Sequence, residues 1–390
     1  MRTIVVVTVG RADYGCLRPV LQAIQGAPEL SLRLLAAGMH LEPAFGMTVK
    51  AIEADGFEVV ERIPMQLSSD SPDAMANSIG LGVSGFGRAY ARLCPDLLLV
   101  LGDRFETHAA VMAAVPFRLP VAHVHGGELT AGAFDDALRH AITKLSHLHF
   151  TSTDDAARRV MQMGEEPWRV TVSGAPSLDQ LRSIRLLSVA ELERIVGLRF
   201  TVPPLLVTYH PEMLASEQTE AHVEELIAAL RQIDRPIIIT LPNADPGGWL
   251  IRQGLERFAG RHPSACVIDN LHPQAYVSVM AVAGAMVGNS SSGLIEAPSL
   301  HLPVVNVGAR QDGRLRAGNV IDVAPHRDEI IAGILRAIDP SFRESLQSLV
   351  NPYGDGHAAE RVVRVLSEVS LGQRLLVKRF DDAPAMAEQP

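Results

Sequence analysis

Short apolar runs without a polar face recur along this chain and alternate with longer amphipathic segments. The clearest run is Leu97–Leu101, in which Leu-Leu-Leu-Val-Leu offers no polar side chain. A strand of this kind is stable only when both of its faces are covered, which a parallel sheet flanked by helices provides. The alternation therefore predicts the α/β class, with doubly wound, Rossmann-like parallel sheets.

The predicted elements fall into two similar series. The strands of the first series are Ile4–Val9, Leu32–Ala36, Glu58–Ile63, Asp96–Leu101, Val121–His125 and Leu148–Thr151. The helices between them are Leu17–Ile24, Pro43–Ala54, Met75–Leu93 and Asp135–His147. After the Pro203-Pro204 pair, the second series has strands at Leu205–Thr208, Pro236–Leu241, Cys266–Ile268, Ala285–Val287 and Val304–Val307. Two such series predict two domains.

The length of 390 residues also suits two domains, since a typical domain has roughly 100–200 residues. We expect an N-terminal Rossmann-like domain at residues 1–182 and a C-terminal Rossmann-like nucleotide-binding domain at 183–355. A final helical stretch at 356–380, centred on His357–Val369, is expected to pack back on the first domain. A ligand is expected in a cleft between the two domains, at the carboxyl ends of the strands.

Composition excludes several classes of function. The net charge of −9 argues against binding to a nucleic-acid backbone, which requires a surplus of Lys and Arg. Cys16, Cys94 and Cys266 lie far apart and lack CxxC spacing, so neither a disulfide framework nor a thiolate metal site is expected. The apolar runs fall short of the roughly 20 residues that cross a membrane. The N-terminus reads as a first strand and not as a signal peptide, so we expect a cytoplasmic protein.

Polar residues follow two of the predicted strands. The first strand leads into Gly10-Arg11-Ala12-Asp13, where Arg11 is either a phosphate contact or an ordinary surface arginine. The buried strand leads into Gly102-Asp103-Arg104. An N-cap explains Asp103 but not the arginine beside it. Because α/β sites lie at the carboxyl edge of the sheet, these residues are candidate functional groups.

The next strand ends in His123-Val124-His125-Gly126-Gly127-Glu128. Strand alternation predicts that His123 and His125 share one face. Two histidines with Glu128 also fit a zinc site, although no HExxH signature is present. Both alternatives, acid–base chemistry and zinc binding, stay open at this point.

The helix after this loop carries two pairs of opposite charges at i,i+4 spacing. Asp136 and His140 share one face, and so do Asp135 and Arg139. Such pairs are either surface ion pairs or part of an acid–base cluster. Crowded carboxylates and imidazoles push their pKa values apart, which leaves one group as the acid and another as the base.

The second half offers groups suited to a nucleotide. The loop Gly288-Asn289-Ser290-Ser291-Ser292-Gly293 supplies hydroxyls and backbone N–H groups at a predicted helix start, which suits a diphosphate. Glu296 can accept both hydroxyls of a ribose, and Arg310 adds a cation. The alternative is a serine-rich helix cap. His210 at another strand end is a candidate acid, base or phosphate contact, and Asn243 offers a polar contact to a sugar.

Several stretches together resemble one protein family, the hydrolysing UDP-N-acetylglucosamine 2-epimerases of bacterial sialic-acid and legionaminic-acid biosynthesis. The epimerase half of the animal bifunctional enzyme is similar. The stretches span nearly the whole chain in order: Arg11–Tyr14, Gly102–Glu106, His123–Glu128, Asp135–Leu145, Gly174–Ser177, Leu241–Asp245, Gly288–Glu296 and Gly308–Gln311.

The resemblance implies a fold of the glycosyltransferase-B type and a specific reaction. UDP leaves C1 of UDP-N-acetylglucosamine by anti elimination with loss of the C2 proton, and water adds to the 2-acetamidoglucal to give N-acetylmannosamine. The resemblance also implies that the reaction uses no cofactor and no metal, and that the protein is a homodimer. The alternatives are the same reaction on a UDP- or GDP-linked 2,4-diacetamido-2,4,6-trideoxyglucose, and a glycosyltransferase of the same fold.

The resemblance also implies roles for individual residues. His125 stands where the related non-hydrolysing epimerases carry a glutamate. The catalytic candidates are Asp103, Glu128, one of Asp135 and Asp136, and His210. The candidates for binding the sugar or UDP are Arg11, Asp13, Arg104, His125, His140, Asn243, Gly288, Ser290, Ser291, Ser292, Glu296 and Arg310.

Overall fold

A computed structural model describes residues 1–65, 71–129, 134–211, 217–242, 248–269 and 271–382. The chain forms two compact units. The first contains Met1–Leu129, Phe134–Gln180 and the chain from Tyr353 onward, and the second contains Leu181–Pro352. The last part of the chain therefore returns to the first unit.

The first unit is built on a parallel sheet of seven strands in the order β3-β2-β1-β4-β5-β6-β7. The strands are β1 (Arg2–Thr8), β2 (Leu30–Ala37), β3 (Val59–Ile63), β4 (Leu97–Leu101), β5 (Val121–Val124), β6 (Leu148–Thr151) and β7 (Val170–Val172). The α-helices are α1 (Arg11–Gly26), α2 (Val49–Ala54), α3 (Pro72–Leu93), α4 (Phe105–Ala114), α5 (Phe134–Leu145), α6 (Asp154–Gln162) and α7 (Ser177–Ser183), which extends across the boundary between the units.

The second unit has a parallel sheet of six strands in the order β10-β9-β8-β11-β12-β13. Its strands are β8 (Leu205–Thr208), β9 (Ile237–Thr240), β10 (Ala265–Ile268), β11 (Ala285–Gly288), β12 (Val304–Val307) and β13 (Val320–Val323). Its helices are α8 (Val189–Val196), α9 (Thr219–Leu230), α10 (Gly248–Ala259), α11 (Pro273–Val282), α12 (Ser292–Ile295), α13 (Arg327–Ala337) and α14 (Pro340–Ser345). The first unit is completed by α15 (Ala358–Glu368) and α16 (Gln373–Leu376).

The central strands are buried on both faces, as their uniformly apolar sequences predict. All five residues of β4 are buried. Leu97 and Leu99 pack in one core with α1 and α15, whereas Leu98 and Val100 pack in a second core with α3 and α4. The predicted fold class, with two doubly wound α/β sheets, is confirmed.

Two details of the predicted elements were wrong. The segment Pro43–Ala54 is not one helix but a 3-10 turn at Pro43–Phe45 followed by α2. Gly46 and Met47, with φ of 82° and 47°, take the left-handed conformation and break it. The strands β7 and β13 were not predicted; both lie at sheet edges and are three and four residues long.

The C-terminal segment is tied to the first unit by one arginine. Arg169, which is 1% exposed, donates to the carbonyl groups of Leu375 (2.9 Å), Arg374 (3.0 Å) and Val377 (3.0 Å). Lys378 adds a hydrogen bond of 2.8 Å to the buried Glu165. These contacts satisfy carbonyl groups of a short terminal helix that has little core of its own.

A further finding concerns membranes. Among the described residues, no helix is both long and apolar enough to cross a bilayer.

The substitution Arg169→Met tests this attachment. It removes the donors of three carbonyl groups, of which that of Leu375 is in a buried hydrogen bond, so we expect the free energy of unfolding to fall by about 2–4 kcal/mol. Denaturant unfolding followed by circular dichroism measures the change. The exposed Arg158, paired with Asp155, provides the matched control Arg158→Met, with an expected change below about 0.5 kcal/mol. Equal effects of the two substitutions would contradict the attachment.

Candidate functional site

Three loops meet at the carboxyl edge of the first sheet. They follow β1, β4 and β5, which are neighbours in the sheet. Carboxyl ends of adjacent parallel strands lie at the same edge, so the loops bring their polar residues together. The pKa of Asp13, after β1, responds to the charges of Arg104 and Asp103, after β4, and of His125, after β5. The predicted clustering at this edge is therefore observed.

Arg139 of α5 joins two of these loops. Its side chain is buried, donates to the carbonyl of His125 (2.9 Å) and forms an ion pair with Asp103. Its guanidinium also lies 3.9 Å from Glu128. Arg139 is therefore not a member of a surface ion pair, which was one reading of its i,i+4 spacing to Asp135.

The second helical pair of α5 behaves as its spacing predicts. His140 and Asp136 are 3.6 Å apart and share a face of the helix. Both side chains are partly exposed, at 35% and 27%. Asp135 is set apart because burial and the neighbouring Asp103 raise its pKa to about 6. Of the two aspartates, Asp135 is the one held close to the charge cluster.

His125 does not continue the strand, which corrects the expectation that His123 and His125 share a face. β5 ends at Val124, and His125 has a left-handed φ of 65°. Its Nδ1 lies 2.5 Å from Oε1 of Glu128, and Ser152 donates to the same oxygen at 2.7 Å. Strand alternation fails here because the chain turns before His125.

His123 has a separate environment. It is fully buried, its Nε2 lies 2.7 Å from the carbonyl oxygen of Gly102, and burial lowers its pKa to about 3. It is therefore a neutral structural group, and it does not converge with His125 on one point. In the part of the chain that the structure describes, no group of three or more His, Cys, Asp or Glu residues is arranged to hold a metal.

Glu106 is a site residue that the sequence reasoning missed. It is fully buried, and its carboxylate accepts a hydrogen bond of 3.2 Å from Nε of Arg104. Gly38, with φ of 54°, makes room for it, since a Cβ there would come within 2.9 Å of Cγ of Glu106. A carboxylate on an otherwise apolar helix, two residues after Arg104, was the available signal. Glu106 fixes the direction of the Arg104 guanidinium.

The carboxyl group of Asp13 has a pKa close to neutral pH. Its Oδ2 is buried and has no hydrogen-bond partner among the described residues. Burial raises its pKa to about 7, against the opposing charge of Arg104. Arg11, by contrast, is exposed in the first turn of α1. Asp13 is thus able to donate a hydrogen bond when protonated and to accept one when ionised.

The second unit repeats this arrangement of adjacent strand ends. β8, β11 and β12 are neighbours, and they lead to His210, the loop Gly288–Glu296 and Arg310 respectively. His210 is 8% exposed, and burial together with the charge of Arg310 lowers its pKa to about 3. Its imidazole is therefore neutral at physiological pH.

Asn289 connects these strand ends, and it was not among the predicted site residues. Its fully buried amide accepts from the backbone N–H of His210 (2.7 Å) and donates to the carbonyl of His210 (2.9 Å). Its own carbonyl accepts from Arg310 (3.1 Å) and Gln311 (2.7 Å). The signal was its place inside the Gly288–Glu296 motif. One asparagine thus sets the positions of His210 and Arg310.

The serine loop is compact. Gly288 has a φ of 133°, and a Cβ there would come within 2.0 Å of the carbonyl oxygen of Thr208, so the position requires glycine. The predicted helix after the loop is a single turn, α12, followed by a 3-10 turn. Ser290, Ser291, Ser292 and Glu296 are all partly buried. The serine side chains are thus partly accessible to a ligand.

A tyrosine that the sequence analysis did not single out lies beside this loop. Burial raises the pKa of Tyr276, and the neighbouring side chains of Ser292, Thr208 and Ser290 lower it. Asn243, a predicted sugar contact, lies outside the described residues.

The substitution Asp13→Asn tests the environment of this carboxyl group. Because the pKa of Asp13 is about 7 in the folded state and 3.8 ordinarily, its stabilising contribution is complete below pH 4 and is lost as the pH rises through 7. Relative to Asp13→Asn, the free energy of unfolding of the wild type should fall by about 2 kcal/mol between pH 5 and pH 8. Urea unfolding at both pH values measures this. Asp154→Asn, at an exposed position, is the control; parallel pH profiles of wild type and Asp13→Asn would refute the assignment.

Comparison with known proteins agrees with these observations. A family model described as UDP-N-acetylglucosamine 2-epimerase matches residues 22–367. A UDP-N,N'-diacetylbacillosamine 2-epimerase (hydrolyzing) of Legionella pneumophila is 37% identical over 97% of this chain and 99% of its own. A GDP/UDP-N,N'-diacetylbacillosamine 2-epimerase (hydrolyzing) of Campylobacter jejuni is 38% identical over 82% of this chain and 84% of its own.

Solved structures support the fold. The UDP-N-acetylglucosamine 2-epimerase of Neisseria meningitidis, bound to UDP-N-acetylglucosamine, superposes with a TM-score of 0.81 at 20% identity, covering 94% of this chain and 99% of that one. The two parallel sheets are therefore those of the glycosyltransferase-B type that the resemblance implied. From the family match and the two relatives, the chain belongs to the UDP-N-acetylglucosamine 2-epimerase family.

Proposed function

We propose that this protein is a hydrolysing 2-epimerase, which converts a UDP-linked 2-acetamido sugar and water into UDP and the free sugar epimerised at C2. The observation that carries the proposal is the cluster of Asp103, Glu128, Asp135 and His125 at the carboxyl edge of the first sheet. Elimination and hydration need groups that accept and donate protons, and this cluster combines three carboxyl groups with an imidazole.

The reaction proceeds in two stages. In the first, the C1–O bond breaks with its electrons leaving on UDP, and loss of the C2 proton places a double bond between C1 and C2. In the second stage, water supplies OH to C1 and a proton to C2. This proton arrives on the face opposite to the one from which the first proton left. The proton on C2 of the neutral sugar is only weakly acidic. Cleavage of the C1–O bond therefore runs ahead of proton loss, through an oxocarbenium-like state that a nearby carboxylate stabilises.

The first unit contains carboxyl groups suited to different parts of this chemistry. Asp103 forms an ion pair with the buried Arg139, which fixes its position. We assign to it the stabilisation of positive charge at C1. Asp135, with its pKa near 6, is in part protonated at neutral pH and can act as an acid. Arg104, fixed by Glu106, is assigned to a phosphate oxygen.

The second unit contains the groups that we assign to UDP. Arg310 and the hydroxyls of Ser290, Ser291 and Ser292 suit the diphosphate, and the carboxylate of Glu296 suits the two ribose hydroxyls. His210 stays neutral and can donate a hydrogen bond to the departing phosphate without adding a charge. Asn289 keeps His210 and Arg310 in register.

Two substrates are candidates. The relatives at 37% and 38% identity are named for diacetylbacillosamine nucleotides, whereas the UDP-N-acetylglucosamine 2-epimerase of Neisseria meningitidis is 29% identical over 98% of this chain. These identities favour UDP-2,4-diacetamido-2,4,6-trideoxyglucose over UDP-N-acetylglucosamine, which we keep as the second candidate. A place in sialic-acid biosynthesis follows only from the second. The homodimer remains a prediction of the family resemblance, and the cytoplasmic location remains a prediction from the N-terminal sequence and the short apolar runs.

Product analysis tests the function. Incubation with each UDP- and GDP-linked candidate, followed by NMR, should show UDP and the free 2-epimerised sugar in equal amounts from the diacetamido substrate. Asp103→Asn should lower kcat by about 10²–10⁴, whereas Asp154→Asn, at an exposed position on α6, should not. A nucleotide-linked epimer as the sole product would place the protein in the non-hydrolysing branch. Transfer of the sugar to an added acceptor would make it a glycosyltransferase.

UDP affinity tests the role assigned to Asn289. Asn289→Asp replaces the amide donor by an oxygen that faces the carbonyl of His210, so UDP binding should weaken by about 5–100-fold, corresponding to roughly 1–3 kcal/mol. Isothermal titration calorimetry measures the Kd. The control is Asn77→Asp at an exposed position of α3. An unchanged Kd in Asn289→Asp would show that the amide does not organise the UDP site.

A further inference from the structure

We propose that Nε2 of His125 is the atom that removes the C2 proton, and that Glu128 is a positioning residue behind it. This inference rests on the proposed function. It changes two assignments that the sequence suggested, where Glu128 was the acid–base candidate and His125 a binding residue. Four observations carry it: the direction of one hydrogen bond, the occupation of the carboxylate of Glu128, an unpartnered ring nitrogen and a left-handed backbone.

The hydrogen bond fixes the tautomer of the imidazole. Nδ1 of His125 lies 2.5 Å from Oε1 of Glu128. A carboxylate only accepts, so Nδ1 carries the proton and donates it. In the neutral ring, Nε2 then holds a lone pair and is a base. This is the same logic by which a carboxylate orients the histidine of a catalytic triad.

The carboxylate of Glu128 is already engaged. Oε1 accepts from both His125 and the hydroxyl of Ser152, at 2.5 and 2.7 Å. Oε2 lies 3.9 Å from Nη1 of Arg139. Such a carboxylate is poorly suited to reach a C–H bond, but it is well placed to stabilise the imidazolium that forms when Nε2 takes a proton.

The acting nitrogen is buried and aimed away from Glu128. Nε2 of His125 has no hydrogen-bond partner among the described residues, although His125 is only 7% exposed. A buried polar atom of this kind is costly unless a ligand uses it. His125 also acts electrostatically on Asp13, whose Oδ2 is likewise buried and unpartnered among the described residues. Both side chains therefore belong to the charge cluster at this edge of the sheet.

The backbone at His125 is held in an unfavourable conformation. A φ of 65° is unfavourable for a residue with a Cβ, because that atom then crowds the backbone. Two hydrogen bonds keep this conformation. Arg139 donates to the carbonyl of His125 (2.9 Å), and the backbone N–H of His125 donates to the carbonyl of Phe150 (3.0 Å). Gly127, two residues later, could not carry a Cβ, because that atom would lie 2.2 Å from the carbonyl oxygen of Ala156. The strain turns the imidazole out of the sheet and toward the site.

The proton balance assigns a second group. When the C2–H bond breaks, its electron pair forms the C1–C2 double bond, the C1–O electrons leave with UDP, and the proton rests on Nε2 until it is released to water. Epimerisation requires the returning proton to reach C2 from the other face, so a different group must donate it. Asp135, held partly protonated beside Asp103, is the group we assign.

The test uses His125→Gly. Glycine accepts the left-handed backbone without strain, so the variant should fold with equal or higher thermal stability and bind UDP within about threefold of the wild type. We expect kcat to fall by about 10²–10⁴, and added imidazole to restore it at least tenfold. With substrate deuterated at C2, the isotope effect on kcat should rise, because proton removal becomes rate-limiting.

The comparison variants separate positioning from proton removal. Glu128→Gln keeps an oxygen acceptor for Nδ1–H, so it should lose less activity than His125→Gly, should shift the acid limb of the pH–kcat profile, and should not respond to imidazole. Asp103→Asn should also show no rescue. The charged and titratable groups around His125 are Glu128, Asp13, His123 and Arg139.

Each outcome decides the question. An inactive wild type on all the nucleotide sugars removes the proposed function and this inference with it. An active wild type with His125→Gly within threefold of its kcat refutes the inference alone. If imidazole fails to rescue, the isotope effect decides: a rise supports His125 as the base, and an unchanged value shows that another group takes the proton.

Discussion

The buried guanidinium of Arg139 is the interaction on which the first half of the site depends. It lies on α5 and binds Asp103 after β4 and the carbonyl of His125 after β5, with Glu128 nearby. Burying a cation is costly, and here two carboxylates and a carbonyl compensate it. Removal of Asp103, the carboxylate in direct contact, would break this ion pair, which typically costs about 3–5 kcal/mol when the pair is buried. Arg139 thereby fixes the distance between two loops that the sheet alone leaves free to vary.

The second unit reaches the same end with a neutral group. Asn289 uses its amide and its backbone carbonyl to hold His210, Arg310 and Gln311, which follow neighbouring strands. A neutral clamp suits this unit because the groups around it are assigned to an anionic diphosphate, and an added carboxylate would repel that ligand. In both units a buried polar side chain near the carboxyl edge of the sheet connects loops that are distant in sequence.

Much of the fold and part of the site followed from local patterns. Uniformly apolar runs such as Leu97–Leu101 predicted buried parallel strands, and the position of Gly102-Asp103-Arg104 just after that run placed its charges at the carboxyl edge. The i,i+4 spacing placed Asp136 beside His140. The edge strands β7 and β13 were missed because β7 has only three residues and β13 contains an aspartate, so neither is a long apolar run. The prediction of one helix over 43–54 was wrong because Gly46 and Met47 both take the left-handed conformation, and only the glycine is marked in the sequence.

By itself, the sequence determined the α/β class, the two series of strands, the strand ends that carry polar residues, and the family that these motifs resemble. Only the tertiary structure decided which of those residues contact one another. It turned His125 away from His123 and onto Glu128, gave Arg139 to Asp103, and showed that Glu106 and Asn289 position their neighbours. The physical reason is that periodicity reports burial and facing along one element, whereas a hydrogen bond between loops depends on how several elements pack, and that geometry is not local to any stretch of the chain.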